Sequence, residues 1–153
     1  SQGAVPRKLC ADKAQKMVQQ LSDFLRGTMR KDNQFVLVEE ELKLLSLYLD
    51  IEKVRFGHRL ITKIATEPET LQCKIPSLLL QPIVENAIKF GLYGTLAETT
   101  IQLTIIKKEN DLWIETSNPF DNDSAASMKG TGFGLSSIQR RLFLLYNRND
   151  LLK

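Results

Sequence analysis

The chain has 153 residues, 42% of them hydrophobic and 25% charged, enough for one domain with a buried core. A net charge of +3 without any basic run interleaved with aromatics argues against a nucleic-acid surface, so no nucleic-acid partner is expected. Cys10 and Cys73 make neither a metal spacing nor a disulfide framework, as in a reducing cytoplasm, and the sequence contains no bilayer-length apolar stretch and no signal-peptide pattern.

In chain order, Ala14, Met17, Val18, Leu21, Phe24, Leu25 and Met29 recur at helical spacing and predict an amphipathic helix over residues 12–29. Gly27 and the polar run of residues 30–33 mark its end. A second helix is predicted over residues 38–56. Glu39, Glu40 and Glu41 fall in its first turn, where negative charge meets the positive helix terminus, and Gly57 is its stop. Leu42, Leu45, Leu49 and Phe56 form its apolar stripe, broadened by Leu44, Leu47, Ile51 and Val54. The period then changes. Residues 60–65 read as a strand and 67–70 as a turn.

Pro76 and Ser77 open a third helix, with Ser77 as its N-cap, and Gly91 ends it. Pro82 is tolerable there only near the first turn. Residues 100–106 and 112–116 are alternating strands joined by a turn at residues 109–111. The small and polar residues 119–129 predict a mobile loop, and residues 135–146 a last helix with Ile138, Leu142 and Leu145 facing inward. This order implies an α+β two-layer sandwich, a sheet with helices on one face. Three strands make a thin sheet, so a further strand is expected beyond residue 153.

Two segments carry chemistry. On the third helix Asn86, Lys89 and Phe90 lie three and four residues apart and so share a side. An amide oxygen, an ammonium and a ring on one face can meet a Mg²⁺, a phosphate oxygen and a flat base. Gly130, Gly132 and Gly134 open the last helix, where backbone N–H groups can approach a phosphate and the helix terminus adds partial positive charge. Each segment alone also fits a plainer reading: Asn86 bonding a neighbouring loop, Glu85 and Lys89 as a surface pair, the glycines as a turn. The glycine spacing is not the dinucleotide fingerprint, and without a Gly-Lys-Ser/Thr triplet there is no P-loop.

Taken together, residues 81–91 resemble the N box and residues 130–135 the G2 box of the GHKL (Bergerat-fold) ATPases, in that superfamily's order. Residues 21–26, 40–42, 48–57, 75–82 and 138–142 resemble the autolysin-sensor (LytS-like) sensor histidine kinases. The likeness runs over residues 12–146. It implies a Bergerat-type fold for residues 34–153, preceded in residues 1–33 by the second helix of a dimerisation and phosphotransfer hairpin.

It further implies ATP and Mg²⁺ as ligands. Asn86 would coordinate Mg²⁺, Lys89 would touch a phosphate and Phe90 would flank the nucleotide. Gly130, Thr131, Gly132, Phe133, Gly134 and Leu135 would form the hinge and floor of a lid. Where the family's adenine-reading aspartate stands, this sequence has Asn118, and the glycines that follow that aspartate are absent. An amide oxygen can still accept the adenine N–H. One helical turn before Asn86, the hydrolytic members' water-activating glutamate is replaced by Pro82, which favours a kinase over an ATPase.

The resemblance also implies a parent protein that homodimerises, is anchored in the inner (cytoplasmic) membrane with this part cytoplasmic, and passes a phosphoryl group from a histidine to a response regulator. The sole histidine, His58, reads as a solvated turn residue. The acceptor is therefore expected upstream of residue 12, and this chain is expected not to phosphorylate itself. Two other readings stand beside this one: an anti-sigma-factor type serine kinase, and a degenerate nucleotide-binding or interaction scaffold.

Overall fold

The computed structural model describes residues 7–29, 34–93, 95–118 and 133–153. Their order is α1 (Arg7–Met29), β1 (Phe35–Leu37), α2 (Val38–Phe56), β2 (Leu60–Thr66), β3 (Lys74–Pro76), α3 (Leu80–Leu92), β4 (Thr99–Lys108), β5 (Asp111–Ser117) and α4 (Phe133–Tyr146). Short 3₁₀ turns, Gly57–Arg59 and Pro68–Thr70, flank β2. The expected loop at residues 119–129 lies outside the described residues, as do Gly130, Thr131 and Gly132.

The main sheet runs β2-β4-β5 and is mixed. β2 pairs parallel with β4, and β4 pairs antiparallel with β5. Along β4 the residues Thr99, Ile101, Leu103 and Ile105 are buried, while Gln102 between them is exposed. Register places Leu103 opposite Thr116 and Ile105 opposite Ile114, so the strands share one apolar face. That face is covered by α2, α3 and α4 through a continuous core that includes Leu45, Leu49, Leu80, Val84, Ile88, Ile138 and Leu142. The result is the α+β two-layer sandwich, built because period-2 strands and period-3.6 helices each have one apolar side to bury.

Several features depart from the sequence reading, beginning with α1, which starts at Arg7 rather than at residue 12. β1 and β3 form a separate two-stranded antiparallel ribbon, with Phe35 opposite Pro76 and Val36 opposite Ile75. Pro76 therefore belongs to a strand, and α3 starts at Leu80 rather than at Pro76 or Ser77. Ser77 is not the N-cap. Its N–H donates to the Gln34 carbonyl at 3.0 Å, and the α3 terminus is capped from α2 instead. Pro82 is the third residue of α3, inside the first turn, where a missing N–H costs little. At the other end α3 passes through Gly91 to Leu92.

α2 begins as expected. Glu40 Oε2 accepts the Leu37 N–H at 2.9 Å, reaching back over the first turn. Its buried residues are Val38, Glu41, Leu44, Leu45 and Leu49, while Val54 is exposed. α1 packs against α2 toward its C-terminal end, where the Phe24 and Tyr48 rings lie 6.1 Å apart. Upstream of that contact Leu9 and Val18 are exposed, as are Met17 and Leu21. Among the described residues, no helix is long and apolar enough to cross a membrane.

Candidate functional site

The candidate site is built on α3 and on the end of β5. Leu80, Val84, Ala87, Ile88, Gly91 and Leu92 face the core, which leaves Asn86 and Phe90 half-buried and Lys89 exposed on the other flank of the helix. Burial of the apolar flank therefore fixes which way the polar flank points.

Gly91 sets the distance between the helix and the sheet. A Cβ placed on it would stand 2.8 Å from Thr99 Cγ2, 3.1 Å from Ile101 Cδ1 and 3.4 Å from Asn118 Cβ. Helix and strands thus meet at a separation that only a glycine permits. The Thr99 hydroxyl, itself buried, donates to the Gly91 carbonyl at 3.0 Å and holds that approach. Asn118, one residue past β5 and half-buried, is thereby brought beside the same helix that carries Asn86, Lys89 and Phe90.

The C-terminal end of α3 is tied down from two sides. Arg59 Nη2 donates to the Leu92 carbonyl at 3.2 Å and also to the Thr95 carbonyl. Arg55 Nη2 donates to the Tyr93 hydroxyl at 2.9 Å, with its guanidinium 5.0 Å from the Phe56 ring centre and 5.6 Å from that of Tyr93. Such stacked, hydrogen-bonded arginines hold loop and helix ends in one geometry.

Lys89 lies at the edge of the Asn86 flank and also lines a groove of about 490 Å³ between α3 and the pair α1 and α2, together with Phe24, Tyr48, Glu52, Arg55 and Glu85 among others; Asn86 and Phe90 do not line it. Burial raises the Glu52 carboxyl above the ordinary carboxylate range; Arg55 opposes the shift and Glu85 adds to it. Burial, with Glu52 and Glu85 alongside, likewise pushes the Tyr48 phenol up. These shifts belong to the helix interface rather than to the Asn86 flank.

Of the remaining candidates, Gly134 is exposed with nothing within 4 Å of an added Cβ, and Leu135 packs partly against the core at the start of α4. Phe133 is the first residue of α4. His58 lies exposed on the 3₁₀ turn between α2 and β2. An amide oxygen on a partly exposed helix flank can supply one ligand to a Mg²⁺ that keeps most of its waters. Among the described residues no cluster of three or more His, Cys, Asp or Glu side chains forms a self-sufficient metal cage. Sequence reasoning missed the roles of Glu41, Arg59 and Thr99 in holding α3. None of the three stands out in the sequence, where Glu41 is the last of three consecutive glutamates.

Fold and site together define a two-layer α+β domain led by a helical pair. Residues 5–60 match the family model described as Histidine kinase. The chain is similar to the sensor histidine kinase BtsS of Escherichia coli, 33% identical over 136 residues, which is 86% of this chain and 23% of that protein. It is similar also to the sensor histidine kinase YpdA of Escherichia coli, 32% identical over 91% of this chain and 26% of that protein. The sensor protein LytS of Oceanobacillus iheyensis is 29% identical over 93% of this chain and 27% of that protein. By these matches the chain is a relative of the sensor histidine kinases, and it spans about a quarter of the length of the curated relatives it matches.

Proposed function

We propose that this chain is the ATP-binding catalytic part of a two-component sensor histidine kinase, of the GHKL type and the autolysin-sensor subfamily. In this reading residues 34–153 hold the nucleotide, and residues 1–33 belong to the dimerisation and phosphotransfer hairpin. The observation that carries it is the close approach at Gly91, which puts Asn118 beside the helix bearing Asn86, Lys89 and Phe90. An adenine acceptor and a phosphate-facing flank then lie along one helix.

The residues have distinct tasks. The Asn86 amide oxygen holds Mg²⁺, and the Lys89 ammonium neutralises a phosphate oxygen. Phe90 lies against the nucleotide, and the Asn118 amide oxygen accepts the adenine N–H. Residues 130–135 offer backbone N–H groups to the triphosphate at the head of α4. Bound Mg²⁺ neutralises phosphate charge during transfer. Pro82 one turn before Asn86 supplies no base, so water is left unactivated. Phosphoryl transfer tolerates this, because it depends on positioning and charge more than on a local base.

The phosphoryl group goes to a histidine on a separate helix and then to a response regulator. The parent is a homodimer anchored in the inner membrane, with this part in the cytoplasm. His58, exposed on its turn, is not the acceptor. Incubation with γ-labelled ATP and Mg²⁺ tests this. The chain stays unlabelled, whereas a longer protein carrying the preceding helix is labelled on one histidine. Labelling of the short chain that His58→Ala abolishes would overturn the assignment.

A further inference from the structure

The turn that leads into α3 is held by a buried carboxylate from another helix. Glu41 on α2 is 1% exposed. Its Oε1 accepts the Leu78 N–H at 2.9 Å, and its Oε2 accepts the Leu79 and Leu80 N–H groups at 3.1 and 3.4 Å. The first N–H groups of any helix lack partners within the helix, and negative charge is favoured there. An N-cap side chain usually supplies the acceptor from the adjacent residue. Here the acceptor comes from 37–39 positions away in sequence.

Two further observations show that the turn is constrained rather than merely capped. Leu78 has φ of +56°, a left-handed conformation that a leucine adopts only when its surroundings impose it. Ser77, 6% exposed, receives a hydrogen bond on its Oγ from Arg141 Nη2 at 3.2 Å. Arg141 belongs to α4. α2, α3 and α4 therefore converge on Ser77, Leu78 and Leu79. The far end of α3 is fixed separately, by Thr99 on the Gly91 carbonyl and Arg59 on the Leu92 carbonyl.

We infer that Glu41 is a positioning residue for the nucleotide site: its carboxylate sets where α3 begins, and so where Asn86 stands relative to the phosphates. The inference rests on the nucleotide-binding reading above. Glu41 touches no nucleotide and acts only through α3. Asn118 and Lys89 both lie by the independently held Gly91 end, so loosening the N-terminal end displaces Asn86 more than the adenine acceptor.

The test is titration calorimetry of the full chain with Mg-ATP and, separately, with AMP, well below the melting temperature, combined with amide hydrogen exchange. In Glu41→Gln one acceptor oxygen is kept, but an NH₂ is turned toward the remaining N–H groups. The Mg-ATP Kd should rise about tenfold while the AMP Kd changes less than about twofold, since one displaced polar contact is worth roughly a factor of ten. Exchange at Leu78, Leu79 and Leu80 should accelerate. A lowered melting temperature with an unchanged Mg-ATP Kd, or equal losses for both nucleotides, makes Glu41 purely structural and overturns the inference.

Wild-type chain that binds neither nucleotide sinks the nucleotide reading and this inference together. Wild-type binding that Glu41→Gln preserves sinks the inference alone. If Glu41→Gln does not fold, the comparison moves to a Leu78→Gly background, because glycine adopts positive φ without a side-chain penalty. Failure of that double variant to fold assigns Glu41 to folding alone and also overturns the inference.

Discussion

Asn118 packs against Gly91: a methyl group added to the glycine would lie 3.4 Å from the asparagine Cβ, in ordinary van der Waals contact. The same methyl would be too close to Thr99 Cγ2 and Ile101 Cδ1, at 2.8 and 3.1 Å, and both residues are buried, so the neighbours must shift to admit it. Overpacking of this kind costs about 1–3 kcal/mol, whereas alanine recovers at most about 1 kcal/mol of helix propensity. The clash wins. Gly91→Ala should therefore lower the melting temperature by roughly 2–6 °C for a chain of this size. A calorimetric melt checks it, and an unchanged or higher temperature would show that helix and sheet have room to part.

Arg59 offers a second stability prediction. Its guanidinium serves the Leu92 and Thr95 carbonyls at the exit of α3. Arg59→Met keeps the apolar stem but leaves those acceptors without their donor, at a cost of about 1–3 kcal/mol. Urea unfolding should show a lower midpoint at unchanged slope. An unchanged midpoint would mean water replaces the arginine at no cost.

How much of this was legible in the sequence depended on where each determinant lies. The boundaries of α2 and the β4-β5 hairpin followed from local pattern: the acidic first turn before Leu42, Gly57 after Phe56, and the turn at Glu109 and Asn110. The start of α3 did not, because its cap is Glu41, nearly forty residues upstream, and Ser77 looked like a local substitute. The β1-β3 ribbon was hidden for a related reason. Its strands have three residues each, too few for alternation to register, and one ends in a proline. Gly91 was read as a helix stop, yet the helix passes through it, and its purpose is closeness to Thr99, Ile101 and Asn118. That Asn86, Lys89 and Phe90 lie on one helix could be read from their spacing. The packing that presents them could not, since it is made by residues distant in sequence.

Glu52 gives a pH-dependent prediction. Burial holds its carboxyl above the ordinary carboxylate range, with Arg55 opposing and Glu85 reinforcing. The folded chain therefore binds this proton more tightly than the unfolded chain does. The associated stability is full below the ordinary carboxylate pKa and is lost as pH rises through the raised value. Glu52→Gln, neutral at every pH, should melt slightly higher than wild type at pH 7, and the gap should close near pH 4. Because the side chain is partly solvated, the gain is small, on the order of a few tenths of a kcal/mol. A variant that melts lower at pH 7 would mean that attraction to Arg55 outweighs burial.

Asn118→Ala removes the proposed adenine acceptor. One hydrogen bond to the base is worth about three- to tenfold in affinity, and the loss should be the same for ATP, ADP and AMP because all three share the base. Competition with a fluorescent adenine nucleotide measures it. A loss confined to ATP would place Asn118 at the phosphates instead.

The central claim is that Asn86 holds Mg²⁺ against the ATP phosphates on α3. Titration calorimetry of wild type and Asn86→Ala with Mg-ATP and with AMP tests it most directly. Wild type should bind both nucleotides, and Asn86→Ala should weaken Mg-ATP by at least about tenfold while leaving AMP within about twofold, because AMP lacks the phosphates that share the metal. Equal losses for the two nucleotides, or no heat from wild type with Mg-ATP, would contradict the claim.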